Sequence, residues 1–218
     1  MKSAILSSLD SFPYFTIEAV KQLLGEESVA TGTIPTTLYR WMKTGQVIRI
    51  KKGVYMTRRF LEMHRTDADF APMISAILIP QSYLSLEFIL QRNGILTEMT
   101  FPISAVTLKQ TRVFENKLGN FIFRNIKADL YTGFTFSEYM GIPFAQATLA
   151  KALFDFLYLR PWHNERQPVS YDLAEDLRLN LEDFSEKDQD AFAGFVEFSK
   201  SIKMNHILNN LRKTEWRH

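Results

Sequence analysis

Eight side chains near the amino terminus are of the types that contact nucleic acid: Thr36, Thr37, Tyr39, Arg40 and Lys43, followed by Arg49, Lys51 and Lys52. Hydroxyl and guanidinium groups hydrogen-bond base edges, and cationic groups neutralise phosphates. At about 100° per residue, Thr36, Tyr39, Arg40 and Lys43 share one face of a helix, with Thr37 flanking. Ile34, Leu38, Trp41 and, at the edge, Met42 take the opposite face. An ordinary solvated helix could carry the same polar face, so the segments around it matter.

Elsewhere the chemistry is sparse. Lys151 and Asp155 stand four residues apart in an otherwise apolar helical run, a spacing that suits an ion pair fixing the helix or a solvated stripe better than a reactive site. The histidines, His64, His163, His206 and His218, form no HxxxH or HExxH pair, and there is no cysteine. The glycines are scattered singly, with no phosphate-cradling GxxxxGK[ST] loop, and the adjacent acids Glu175 and Asp176, or Glu182 and Asp183, point to different sides of any helix. Catalysis needs convergent groups. The sequence therefore predicts no catalytic residue, no metal ligand and no cofactor, and a protein that is not an enzyme.

The elements that must position the first group can be read locally. Ile5, Leu6 and Leu9 mark a short first helix that Ser11-Phe12-Pro13 breaks. Thr16 caps a second, with Glu18 in its first turn, Ile17, Val20, Leu23 and Leu24 at helical spacing, and Gly25 as its stop. After the polar loop GEESVATG, a third helix starts near Thr33, takes Pro35 in its permissive first turn and stops at Gly45. Val47 to Ile50 and Val54 to Thr57 then flank Lys51-Lys52-Gly53, the pattern of a tight hairpin with Arg49 and Lys51 alternating against Ile48 and Ile50. Three helices followed by a basic hairpin resemble the winged helix-turn-helix family, whose third helix reads the groove while the wing grips flanking backbone. Charge agrees with that order: residues 1–65 hold ten basic side chains against five acidic, and the remainder sixteen against nineteen. The resemblance implies a DNA-binding domain over residues 1–65.

Residues 66–218 change character. Phe70–Pro80 and Ser82–Leu90 read as short apolar helices, the second ended by Asn93-Gly94; Ile103–Leu108, Arg112–Phe114 and Phe121–Ile126 read as strands, the last two joined by a turn at Lys117–Asn120. Leu130–Phe144, with Gly133, Gly141 and Pro143, reads as irregular or extended. A helix apolar almost all round runs from Ala145 to Arg160, where Pro161 stops it; Leu149, Leu153, Phe156 and Leu157 are its predicted buried residues. An acidic stretch, Asp172–Asp190, precedes a helix-like Ala191–Leu211. The expected fold is α+β: an amino-terminal winged helix joined to a mixed domain with a small antiparallel sheet covered by helices.

In order along the chain, the basic hairpin, Ser82-Tyr-Leu-Ser-Leu-Glu-Phe-Ile-Leu90 with Gly94-Ile95, a strand pair, and Ala147-Thr-Leu-Ala-Lys-Ala-Leu-Phe-Asp155 resemble the AbiEi family of type IV antitoxins. Lys151, Ala152, Leu153 and Asp155 fit that family's helix, whereas Leu149 and Ala150 stand where it usually has proline and glutamate. The resemblance implies a transcriptional regulator that binds double-stranded DNA at its own promoter, represses its operon and counteracts a nucleotidyltransferase-type toxin encoded nearby. A regulator whose larger domain senses a small ligand is the alternative, and a DNA-acting nuclease a more distant one. The absent cysteines fit a reducing compartment, and no apolar run suits a signal peptide or a membrane span, so a cytoplasmic protein without a membrane partner is expected.

Overall fold

The computed structural model describes residues 2–24, 33–97, 102–161 and 171–216. Its first elements are α1 (Lys2–Leu9), β1 (Phe15–Thr16), α2 (Ile17–Leu24), α3 (Thr33–Lys43), β2 (Val47–Lys51) and β3 (Val54–Thr57). Thr16 Oγ1 accepts from the Ala19 amide at 3.3 Å, as an N-cap does. Gly25 and the polar loop after it lie outside the described residues. The α3 helix ends as its sequence requires: the amides of Thr44, Gly45 and Gln46 donate to the carbonyls of Arg40, Met42 and Trp41, and Gly45 takes a left-handed φ of 75°.

The hairpin pairs antiparallel, with Val47 opposite Thr57 and Arg49 opposite Tyr55, and Gly53 turns it at φ 80°. Strand β1 joins β3, which makes a three-stranded antiparallel sheet in the order β1-β3-β2. Ile34, Leu38 and Trp41 of α3 are buried with Leu9, Phe15, Val20, Val47 and Tyr55, so the apolar face read from the third helix is the one that packs.

After β3 come α4 (Arg58–His64), α5 (Phe70–Leu78), β4 (Ser82–Leu84), α6 (Leu86–Arg92), β5 (Ile103–Thr107), β6 (Arg112–Asn116), β7 (Gly119–Asn125), a 3₁₀ turn (Ala128–Leu130), β8 (Phe134–Tyr139), β9 (Ile142–Ala147), α7 (Leu149–Leu159), α8 (Leu173–Asp176), α9 (Glu186–Ser199) and α10 (Ile202–Thr214). The small antiparallel sheet expected here is instead a six-stranded mixed sheet, ordered β6-β7-β5-β4-β9-β8. Its centre is the antiparallel pair β4–β5. On each side stands a hairpin, β6–β7 or β8–β9, whose second strand runs parallel to the centre: β7 along β5 and β9 along β4.

Two local readings change with this sheet, and a third is narrowed to its extended alternative. Ser82–Leu84 is a strand rather than the start of a helix; it is central and buried on both faces, so it lacks the alternation that betrays a half-exposed strand. Leu130–Phe144 contributes a regular hairpin, turned at Met140 and Gly141. Ala145–Ala147 belongs to β9, and α7 begins only after Thr148, whose Oγ1 accepts from the Lys151 amide. The other strands lie within two residues of their predicted ends. The long carboxy-terminal helix is split into α9 and α10 at Lys200, which adopts φ 51°.

Both faces of the sheet are covered. Helices α6 and α7, backed by α9 and α10, close one core. Leu153, Phe156 and Leu157 are buried there and Leu149 is half-buried. On the other face α5 lies over Ala105, Phe121 and Phe123 and also over Ile50, Met56 and Phe60 of the hairpin and α4. The basic hairpin thus shares a buried cluster with the larger sheet. Two polar contacts reinforce the seam: Lys51 Nζ donates to the Leu78 carbonyl at 3.3 Å, and Asn116 Nδ2 to that of Ile50 at 3.2 Å. Among the described residues no helix is long and apolar enough to cross a membrane.

Candidate nucleic-acid interface

On α3 the structure divides the predicted contact residues. Thr36, Arg40 and Lys43 are exposed and Tyr39 is 60% exposed. Thr37 is only 3% exposed. It sits one residue from Leu38 on the flank that turns into the core, so it is a packing residue and not a surface contact. No acidic residue stands on α3.

The hairpin divides likewise. Arg49 and Lys52 are exposed. Arg49 Nε donates to the Lys51 carbonyl at 3.4 Å, which aligns its guanidinium along the strand. Lys51 is half-buried and tied to Leu78; burial first, and the nearby Lys109 charge second, hold its ammonium below the usual lysine pKa. It belongs to the seam with α5 rather than to the open cationic surface. The irregularity in pairing between Arg49 and Lys51 is what breaks the alternation the sequence suggested. Among the described residues no ion pair engages Arg40, Lys43, Arg49 or Lys52. Four cations and a bare tyrosine therefore remain available to an anionic partner.

Two polar clusters lie elsewhere. Lys151 and Asp155 are both 0% exposed and ion-paired on α7. Tyr83 Oη and Ser85 Oγ donate to Asp155 Oδ2 at 2.9 and 2.7 Å, and the Lys151 ammonium sits 5.0 Å from the Phe154 ring centroid and 5.6 Å from those of Tyr83 and Phe195. Burial lowers the lysine pKa and raises that of the aspartate, and the mutual attraction opposes both shifts. The pair fixes α7 against β4, as one of the two sequence readings held; the solvated-stripe reading is excluded.

The second cluster was not legible from spacing, since it joins residues 64 and 139. Tyr139 Oη donates to Asp67 Oδ2, and His64 Nδ1 lies 3.0 Å from the same oxygen. The hydrogen bonds from Tyr139 and then His64 lower the Asp67 pKa; burial and the Asp67 partner raise that of Tyr139 to about 12. It pins the α4–α5 turn to the end of β8. His163 and His218 lie outside the described residues, and among those described no three His, Cys, Asp or Glu side chains converge as metal ligands. No protein-family model matches the chain, and no characterised protein is significantly similar to it.

Proposed function

We propose that the protein is a double-stranded-DNA-binding transcriptional regulator, that β1–β3 with α1–α3 form its winged helix-turn-helix, and that α3 enters the major groove. The observation that carries this reading is the acid-free exposed face of α3, with Thr36, Tyr39, Arg40 and Lys43, next in the chain to a hairpin that exposes Arg49 and Lys52. Thr36, Tyr39 and Arg40 are the base-edge readers; Lys43, Arg49 and Lys52 hold phosphates. The resemblance of the later blocks to AbiEi antitoxins supports a role for the remainder as the antitoxin part, directed against a nucleotidyltransferase-type toxin encoded beside the gene.

Gel retardation of the full chain on the DNA upstream of its own gene tests the regulator. Arg40→Ala should relax preference at one base position at a cost of roughly 1–3 kcal/mol, because a guanidinium to a base edge carries sequence information. Equal retardation of every duplex by wild type and variant would remove the groove-reading role. The antitoxin part is tested separately: coexpression with a neighbouring nucleotidyltransferase-like gene should restore growth, and failure of the full chain to do so would refute that part alone.

A further inference from the structure

A cavity of about 480 Å³ opens between α6, α7, β5 and β7, away from α3 and the hairpin turn. Among the described residues its apolar walls include Leu86, Ile122, Phe156 and Leu159, and its charged lining is Arg124, Arg160 and Glu87. That volume lies in the range of sites that enclose small organic molecules. The two guanidiniums are oriented rather than loose. Arg124 donates from Nη2 to the Leu159 carbonyl at 2.9 Å, which spends one of its donors on the end of α7, and the Arg160 guanidinium sits 5.2 Å from the Phe156 ring centroid. Neither takes part in an ion pair among the described residues.

The backbone around the cavity adds an independent sign. Leu86, on its wall, holds φ 58°, a left-handed conformation that a leucine rarely adopts and that persists only where the surroundings impose it; such residues cluster at ligand-binding sites. The residue directly before it, Ser85, is locked by its hydrogen bond to the buried Asp155.

We propose that this cavity binds a small apolar monocarboxylate, an aryl or branched alkyl acid, with the carboxylate between Arg124 and Arg160 and the apolar body against Ile122, Phe156 and Leu159. Two guanidiniums lining one cavity offer a carboxylate a charge-assisted donor for each of its oxygens. The charge balance of the lining selects among anions. Among the described residues the lining carries two cations and one carboxylate, which favours a single negative charge, and the walls reward an apolar body, so a strongly hydrated phosphate is disfavoured twice.

The probe is 1-naphthoate, titrated into the full-length protein by calorimetry, with the neutral isostere 1-naphthamide and inorganic phosphate as comparators. The expected result is saturable one-to-one binding of naphthoate, at least tenfold weaker binding of naphthamide, and no competition by phosphate up to millimolar concentration. Arg160→Glu, at an exposed position where folding is not at stake, should weaken naphthoate at least tenfold, about the loss of one charge-assisted hydrogen bond. Glu87→Gln should tighten it. No saturable binding of naphthoate at millimolar concentration, equal binding of naphthamide, competition by phosphate, or unchanged affinity in both variants would each overturn the proposal.

Discussion

At the scale of single residues, Lys151 and Asp155 form a buried ion pair on α7. Lys151 and Asp155 were visible as a pair, yet only the fold shows that Tyr83 and Ser85, some seventy positions away, complete the aspartate's hydrogen bonds. A buried pair is costly to break from one side because the surviving charge is stranded. Lys151→Met should therefore destabilise the protein by roughly 3–5 kcal/mol in urea unfolding, and Lys151→Met with Asp155→Asn, which removes the stranded charge and keeps an acceptor for Tyr83 and Ser85, by less; equal losses in the single and double variants would contradict this account of the pair. Asp67 gives a pH dependence with a definite sign. Its carboxyl pKa is depressed in the folded state, so its contribution is present above the ordinary carboxylate value, about 4, and is lost as pH falls through the lower folded value. Tyr139→Phe removes the first cause of that depression. The Asp67 carboxyl, followed by carbon NMR, should then titrate at higher pH, and an unshifted titration would show that Tyr139 does not hold it.

At the scale of elements, α2, α3 and the hairpin β2–β3 were legible because Thr16, Pro35, Gly45 and Gly53 mark their ends, whereas the two-residue β1 and the short α4 were not. The six-stranded sheet was harder. Its central strand β4 is three residues long and uniformly buried, and β9 passes into α7 with only Thr148 between them, so hydrophobic periodicity offers no boundary there. Thr37 is buried and Lys51 half-buried for a related reason: a helical wheel or an alternating strand fixes the face of a residue only to within its neighbour's width, and a pairing irregularity shifts it. Gly133 was read as a sign of irregular chain and has a sharper role. It takes φ 77° at the entrance to β8, and a Cβ there would lie 2.5 Å from the Phe195 ring and 3.0 Å from Lys151 Cγ. Gly133→Ala should cost at least as much as a typical overpacked core substitution, about 1–3 kcal/mol, and a melting temperature equal to wild type would count against the closeness of α9 to β8.

At the scale of the whole molecule, the charge balance differs on the two sides of residue 65, while apolar packing runs across it. Ile50, Met56 and Phe60 are buried with Phe70, Ile74, Phe121 and Phe123, and β7 carries Ile122 and Arg124 into the cavity with those two phenylalanines as their sequence neighbours. A shared core predicts shared unfolding. The indole signals of Trp41, in the amino-terminal cluster, and Trp216, in the carboxy-terminal one, should lose their native NMR positions over the same temperature range; loss of Trp41 well before Trp216 would show that the amino-terminal part melts alone.

The central claim is that four cations on α3 and the hairpin, which make no ion pair among the described residues, meet DNA, and the salt dependence of duplex binding by the full chain addresses it most directly. Each phosphate contact releases counterions and contributes about 0.9 to the slope of log affinity against log salt concentration. The wild type should show a steep negative slope. Arg49→Ala with Lys52→Ala should flatten it by about two units at every sequence, whereas Lys51→Ala, whose ammonium is held by Leu78, should leave it nearly unchanged. An absence of duplex binding at low salt, or a slope as steep in the Arg49 and Lys52 double variant as in wild type, would contradict the account.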